Sequence, residues 1–505
     1  MAALIPWFVS PAHAGGDPRK CLVVKAPSDE RIAGCTAMIE AGTAPKPILI
    51  AAYGTRARAY FELRDFDHAI TDYTQVIQRS PEDRYAYIDR GGAFYAKGEF
   101  ESAIADTTRA IELNPRDIRA YLGRGTAFAA KRDADRAIAD YNEVIRLSPK
   151  YKEAYLGRGG AYAGKGDVDR AMADYDQAIL LDPEYKEAHL GRGNVYGTTG
   201  DFDGAIAAYS AAIRLDPKFK EAHLGRGNVY RTRGDFDGAI AAYSAAIQLD
   251  PGYKDAYVSR GEAYRTNGDL DSAIADYNKA VQLDPGYGRA YVSRAAAFAM
   301  KDDYERAIAD YDRAIELNPR FAEAYVGRGS AFKVKGDTVR AIADFDELIG
   351  LDPKNARAYR VRGVAELQAG SLTKSLADLN QSQELDPKEP YTALWLEVVG
   401  KLDLPSRLAE ATARLDMTKW PAPAVRLFLG EMTPDALLTA ADDPDPKTRK
   451  RQVCEANFFL GEREVQRGST ADATRLLGIV VADCPKYFVV WSVAKAELKA
   501  LGIDP

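Results

Sequence analysis

Proline recurs at a fixed interval through most of this 505-residue chain. The ten prolines of the series stand 34 residues apart without insertion or deletion: Pro81, Pro115, Pro149, Pro183, Pro217, Pro251, Pro285, Pro319, Pro353 and Pro387. A strict period of this length indicates a stack of identical units, each a pair of helices joined by a turn. Such a chain grows by adding units, so its length does not imply several globular cores.

Aromatic and small residues keep the same register. With the proline counted as position 32, an aromatic residue or histidine occupies position 4, an aromatic position 11, alanine or serine position 20, and mostly tyrosine position 24. One unit shows the pattern in Tyr155, Tyr162, Ala171 and Tyr175. These spacings place the side chains on one stripe of each helix. Gly-Asp pairs such as Gly166-Asp167 separate the two stripes, since glycine can close the first helix and aspartate can cap the second.

The columns resemble the tetratricopeptide repeat, and residues 48–387 contain ten such units. The resemblance implies an all-α, right-handed superhelical solenoid of antiparallel helix pairs, similar to exported bacterial adaptor proteins of this family. One difference from the family is consistent, because position 7 is arginine in all ten units instead of the usual leucine.

The two ends of the chain differ from the repeats. Residues 1–14 contain an apolar stretch followed by Ala12-His13-Ala14, which predicts a signal peptide, although the basic segment is missing and an ordinary flexible terminus is the alternative. Residues 15–47 are predicted to form an N-terminal cap. The segment 388–453 is predicted to contain a degenerate repeat, with Ala409 at its alanine position, and an irregular helical connector. Residues 454–505 are predicted to form a divergent repeat and a closing helix at 486–501.

The four cysteines form two local pairs, Cys21 with Cys35 and Cys454 with Cys484. Two separated pairs predict two disulfides and an oxidising compartment, and the alternative is four buried thiols in a cytosolic protein. In the repeat register, Cys454 and Cys484 occupy positions 1 and 31, which lie side by side in a helical hairpin. The predicted localisation is therefore periplasmic or secreted, with cytoplasmic as the alternative.

The arginine column needs an acceptor, because a half-buried guanidinium is costly without one. Aspartate at position 23 provides it in eight units, and two units carry Ala208 and Ala242 instead. The predicted ladder pairs Arg56 with Asp72, Arg90 with Asp106, Arg124 with Asp140, Arg158 with Asp174, Arg260 with Asp276, Arg294 with Asp310, Arg328 with Asp344, and Arg362 with Asp378. The alternative interpretation is that the two central units, with Arg192 and Arg226, are specialised for an anionic ligand.

The resemblance also implies which surface binds partners, since the family lines its inner surface with positions 2, 5, 9, 12 and 13 of the first helix. In the central repeats this implies the binding residues Leu190, Asn194, Leu224, Asn228, Arg231, Val258, Glu262 and Arg265. Asn194 and Asn228 resemble the amides with which some relatives hold a peptide backbone. The lysines of the family's carboxylate clamp are missing, because position 5 is leucine or valine in these central repeats.

The predicted function is a non-catalytic scaffold or adaptor that binds a peptide or protein segment of unknown identity. The net charge of −6 argues against a nucleic-acid-binding surface. The sequence contains no run of 18 apolar residues, so no membrane-spanning helix is predicted. No cofactor and no metal site are predicted. The alternatives are a cytosolic assembly or regulatory co-chaperone and, less favoured, a small enzyme module in 388–505, where no nucleophile and base stand in a supporting context.

Overall fold

The computed structural model describes residues 17–23, 26–400 and 405–504, with side chains omitted at 405–407, so the predicted signal peptide at 1–14 lies outside the described residues. The chain forms two compact units, one ending at Arg233 and the other beginning at Gly234. Throughout the described ranges the regular elements are helices, which confirms the predicted all-α fold.

The first unit opens with a short 3-10 turn at Pro18–Lys20 and continues as consecutive helix pairs. Its helices are α1 (Ser28–Ala41), α2 (Lys46–Glu62), α3 (Phe66–Arg79), α4 (Arg84–Lys97), α5 (Phe100–Leu113), α6 (Ile118–Ala130), α7 (Ala134–Leu147), α8 (Lys152–Gly164), α9 (Val168–Leu181), α10 (Lys186–Thr199), α11 (Phe202–Leu215) and α12 (Lys220–Arg233).

The second unit continues the repeats and ends in a divergent region. Its repeat helices are α13 (Phe236–Leu249), α14 (Lys254–Asn267), α15 (Leu270–Leu283), α16 (Gly288–Met300), α17 (Tyr304–Leu317), α18 (Ala322–Val334), α19 (Thr338–Leu351), α20 (Ala356–Gln368) and α21 (Leu372–Leu385). They are followed by α22 (Pro390–Gly400), α23 (Pro405–Thr412), α24 (Ala422–Phe428), α25 (Pro434–Ala440), α26 (Pro446–Gln466), α27 (Thr470–Asp483) and α28 (Val489–Ala500).

Aspartate is the N-cap residue of most second helices of the repeats, as the Gly-Asp pattern predicts. The side chain of Asp167, for example, accepts a hydrogen bond from the backbone N–H of Arg170. Gly166 precedes it with a φ of 76°, a left-handed conformation that favours glycine. Three repeats make the same turn without glycine, because Arg64, Arg132 and Asp302 adopt φ values of 60 to 62°. These turns carry backbone strain that the glycine-containing repeats avoid.

The tyrosine at position 24 explains the recurring Gly-Arg-Gly triplets. A Cβ atom on Gly157 would lie 2.6 Å from the Tyr141 ring of the preceding repeat, and one on Gly159 would lie 3.0 Å from the Tyr175 ring of its own repeat. The two glycines therefore let successive tyrosine rings pack directly on the first helix, on either side of the ladder arginine.

The C-terminal region has its own apolar core. Leu394, Trp395, Phe458, Phe459 and Leu477 are buried together in it. Helix α26 begins at Pro446, earlier than the predicted boundary at 454, because Asp445 caps it and proline is tolerated in its first turn.

Two disulfides hold the two ends of the chain. Cys21 is bonded to Cys35, with Cα atoms 4.4 Å apart, and this pair joins the start of the chain to α1. Cys454 is bonded to Cys484, with Cα atoms 5.9 Å apart, and this pair joins α26 to the residue that follows α27.

Candidate functional site

The arginine at position 7 joins the two helices of its repeat in eight places. Each guanidinium donates from Nε and Nη2 to the two carboxylate oxygens of aspartate 23, at 2.7–3.0 Å and 2.6–2.8 Å. The pairs are those predicted, from Arg56–Asp72 to Arg362–Asp378. Hydrogen bonding to Asp140 raises the pKa of Arg124, since the carboxylate stabilises the charged form.

Sequence reasoning missed a third contact, which all ten arginines of the column make through Nη1. Nη1 of Arg90 donates to Thr74 in the second helix of the preceding repeat, at 2.9 Å. From the second repeat onward this partner occupies position 25, as Thr74, Thr108, Asn142, Asp176, Ser210, Ser244, Asn278, Asp312 and Asp346. Arg56 contacts Thr36 in α1 in the same way. The arginine column therefore binds neighbouring repeats together as well as the helices within each repeat.

Arg192 lacks the carboxylate that completes the ladder elsewhere. Position 23 of its repeat is Ala208, and the remaining side-chain acceptor is Asp176 of the preceding repeat, 3.1 Å from Nη1. The Nε atom of Arg192 is buried without a hydrogen-bond partner. The next repeat shares this defect, since Nε of Arg226 is also buried without a partner and position 23 is Ala242. These two repeats are therefore less firmly held than the eight with a complete pair, because an unsatisfied buried donor costs about 1–3 kcal/mol.

Positions 2, 5, 9, 12 and 13 of each repeat define what we call the first-helix face. Within each unit, successive first helices such as α8 and α10, or α16 and α18, contact one another more extensively than successive second helices do. The first-helix face is therefore the inner side of the stack in each unit.

In the first unit the predicted binding residues differ in exposure. Asn194 is exposed, and its Oδ1 accepts a hydrogen bond from the Tyr209 hydroxyl at 2.7 Å. Asn228 is half-buried. Leu190 packs against a core cluster that contains Tyr209. Arg231 is half-buried, and its Nε is buried without a hydrogen-bond partner. Asn194 is thus the member of this set best placed to meet another molecule.

The predicted binding residues of the second unit are largely occupied by the protein itself. Val258 is fully buried, so its prediction as a surface residue was wrong, because its short branched side chain packs into the repeat core. Glu262 accepts from Arg289 at 2.9 Å. Arg265 contacts the Met300 sulfur at 3.9 Å, and its Nε has no hydrogen-bond partner.

Sequence comparison assigns these repeats to a family. The tetratricopeptide repeat profile matches in overlapping segments that cover more than half of the chain: 55–118, 94–152, 122–186, 156–218, 190–254, 224–288, 292–356 and 334–390. The chain belongs to the tetratricopeptide repeat family. Tetratricopeptide repeats serve as scaffolds for protein–protein interaction, and the fold is generally non-catalytic.

Solved structures with detectable similarity include other tetratricopeptide repeat proteins. A tetratricopeptide repeat protein from Parabacteroides merdae ATCC 43184 is 19% identical, covering 49% of this chain and 98% of its own, with a TM-score of 0.41. MamA is 32% identical over 32% of this chain and 94% of its own, with a TM-score of 0.30. YrrB, described as having an unusual peptide-binding site, is 23% identical over 36% of this chain and 95% of its own, with a TM-score of 0.30.

The C-terminal helices cover the first-helix face of the last two tetratricopeptide repeats. Val364 and Leu367, at positions 9 and 12, are buried in the C-terminal core, and Val334 packs against it. Helix α28 contacts α20 directly. Lys447 donates to the Thr266 carbonyl at 2.5 Å, so the covering region reaches as far as α14. Partner binding at these positions therefore competes with the chain itself.

One lysine on the first-helix face is buried. Lys333, at position 12, is buried, and burial lowers the pKa of its amine to about 8. Within the described ranges, no carboxylate forms an ion pair with this amine. The charged form of Lys333 is therefore disfavoured in the folded protein.

The histidines at position 4 of two central tetratricopeptide repeats have a structural role. Nε2 of His189 donates to the Pro183 carbonyl at 3.2 Å, and His223 contacts Pro217 in the same way at 3.1 Å. Tyr155 makes the equivalent contact with Pro149, so histidine replaces tyrosine in the column without changing the bond. Among the helices that the structure describes, none is both long and apolar enough to cross a membrane.

Proposed function

We propose that this protein is an exported, non-catalytic scaffold that holds an extended segment of a partner protein along the first-helix face of the first unit. The observation that carries the proposal is the contrast between the two units. Asn194 is exposed on this face in the first unit, whereas the last repeats of the second unit are covered by the C-terminal helices.

The Asn194 side chain suits a peptide backbone. Its Oδ1 already accepts from Tyr209, which fixes the amide plane. Its Nδ2 can donate two hydrogen bonds, and the carbonyls of an extended segment are natural acceptors. Asn228 stands at the same position one repeat later, so the two asparagines lie on the same face in successive repeats.

The two disulfides support export. Bonds between Cys21 and Cys35 and between Cys454 and Cys484 persist in the periplasm or outside the cell, where thiols are oxidised. Counting free thiols in protein purified from its natural host tests the compartment, and four free thiols would contradict export.

Selection from a displayed library of 15-residue peptides tests the binding proposal directly. Selected peptides should bind the double variant Asn194→Ala/Asn228→Ala about tenfold more weakly or worse, since each lost hydrogen bond is worth about 1 kcal/mol. Tyr209→Phe removes the intramolecular bond to Asn194 but keeps the amide, so this variant should weaken binding less than the double variant does. Equal binding by the double variant and the wild-type protein would exclude this face as the site.

A further inference from the structure

A polar cavity of about 570 Å³ opens on the N-terminal repeats of the first unit, at a distance along the chain from Asn194 and Asn228. Its lining residues come from α2, α4, the loop after α5 and the start of α6. They are Arg58, Tyr85, Asp89, Asn114, Arg116, Asp117, Ile118 and Arg119. Arg58, Tyr85 and Arg119 belong to the first-helix face, at positions 9, 2 and 2.

The charges of this cavity do not cancel. Asp117 accepts a hydrogen bond from Arg84 at 3.0 Å and caps α6 through the Arg119 N–H, so its carboxylate is satisfied. Asp117 also lies 3.6 Å from Nε of Arg119, and Asp89 lies 3.6 Å from Arg58. Arg116 is exposed and forms no ion pair within the described ranges. Counting Arg84 and the nearby Asp83, four arginines face three aspartates, so the site carries one net positive charge, although the whole chain carries a net charge of −6.

Tyr85 forms an exposed aromatic wall between two guanidinium groups. Arg84 lies 4.2 Å from the ring centroid and Arg119 lies 4.5 Å from it. Cation–π contacts of this length fix both the ring and the arginines. The Arg119 side chain is still 51% exposed, so the guanidinium held by Tyr85 also remains accessible to solvent.

A second cavity, of about 260 Å³, adjoins the first and shares Arg58, Tyr85 and Asp89 with it. Its other lining residues are mostly apolar or small: Ile50, Ala51, Gly54, Thr55, Tyr73, Val76, Asp83 and Ala86. A ligand that fills both cavities therefore presents a negative group and, next to it, an apolar group.

We propose that the two cavities anchor an internal acidic segment of the partner protein. One carboxylate side chain pairs with Arg116 and Arg119, and a neighbouring aliphatic side chain enters the second cavity past Arg58. The proposed occupant is an internal segment, and a free chain terminus is the alternative that the peptide test below separates from it. This inference rests on the proposed function and names the chemistry that the face selects.

Fluorescence anisotropy with defined peptides tests the inference. The probe is a labelled 12-residue peptide of Glu-Glu-Leu-Gly repeats, acetylated and amidated, and the comparison peptide has glutamine in place of every glutamate. The acidic peptide should bind at least tenfold more tightly, and its affinity should fall steeply with salt. Freeing the C-terminal carboxylate should change its Kd less than twofold. Equal binding of the two peptides, or a much tighter Kd for the free terminus, would overturn the inference.

Variants locate the interaction. The double variant Arg116→Gln/Arg119→Gln should bind the acidic peptide at least tenfold more weakly. Arg146→Gln removes an exposed arginine outside the cavity lining and should leave the Kd of the peptide unchanged. Circular dichroism checks that the variants remain folded. One outcome is that the Asn194→Ala/Asn228→Ala variant weakens binding of the library-selected peptides while the arginine variants leave it unchanged. That result refutes the acidic anchor but leaves the proposed function standing. If no peptide binds any form, both fail.

Discussion

The strongest prediction concerns the Arg158–Asp174 pair of the ladder. Asp174 is buried and accepts two charge-assisted hydrogen bonds from Arg158, at 2.8 and 2.6 Å. Removing one partner of a buried pair costs about 3–5 kcal/mol. The Arg158 side chain is 20% exposed and keeps its bond to Asn142, so the loss for Asp174→Ala should lie near the lower limit, at about 3 kcal/mol.

The reverse substitution supplies a matched test in the same column. Ala208→Asp should give Arg192 the missing carboxylate and stabilise the protein by about 1–2 kcal/mol, because the new bonds are offset in part by burying another charge. Arg328 already pairs with both Asp344 and Asp312, so one guanidinium can accommodate two carboxylates.

Urea unfolding and amide hydrogen exchange measure both variants, since repeat arrays unfold locally as well as globally. Exchange should rise in α8 and α9 for Asp174→Ala and fall in α10 and α11 for Ala208→Asp. Asp169→Ala, an exposed change in the first turn of α9, is the control and should cost less than about 1 kcal/mol. If Asp174→Ala costs no more than this control, or Ala208→Asp destabilises, the pairing of arginine 7 with aspartate 23 does not stabilise the repeats.

Three further predictions concern charge, packing and the disulfide. Lys333→Met should increase the free energy of unfolding at pH 7, and the wild-type protein should gain stability between about pH 8 and 10. In that range the unfolded lysine, with a pKa near 10.5, binds a proton that the folded one, with a pKa of about 8, has lost; urea titrations across the range measure the gain. Gly327→Ala should destabilise by about 1–3 kcal/mol, because its Cβ would lie 2.2 Å from a tyrosine ring, whereas Gly92→Ala, with nothing within 4 Å, should stabilise by about 0.5–1 kcal/mol in thermal melts. Replacing Cys454 and Cys484 with serine should cost about 2–4 kcal/mol by urea unfolding, because their bond closes a 30-residue separation.

Each of these predictions has a control or an outcome that would contradict it. Lys335 is exposed and pairs with Glu305, so Lys335→Met should leave the gain between pH 8 and 10 intact. A gain that persists in Lys333→Met would show that another group titrates there. Glycine variants that change stability in the same direction would contradict the packing argument. Unchanged unfolding of the double serine variant would show that the C-terminal core does not need the disulfide.

The repeat architecture could be predicted because the same residue types recur at fixed intervals along the sequence. Arginine and aspartate recur in register, and a half-buried guanidinium needs an acceptor, so the paired columns at positions 7 and 23 could be linked. The column at position 25 escaped notice because threonine, asparagine, serine and aspartate share only an acceptor oxygen. No single residue type marks it.

The covering of the last repeats could not be predicted from the same period. It joins Lys447 to Thr266, far apart in sequence, and the contact depends on how the C-terminal helices fold back within the second unit. A weaker signal was present in the sequence. Position 9, which is asparagine at Asn194 and Asn228, becomes Val364 in the tenth repeat, and an apolar residue at an exposed position indicates that something packs on it.

The third contact of each arginine gives the array a direction. Every such bond reaches back toward the N-terminus, and α1 supplies Thr36 to the first arginine, so α1 takes the place that the second helix of the preceding repeat has elsewhere. A fragment that begins with a first helix leaves its leading guanidinium short of one acceptor. Fragments prepared for crystallisation or binding studies should therefore begin with a second helix, and the best boundaries fall inside repeats instead of between them.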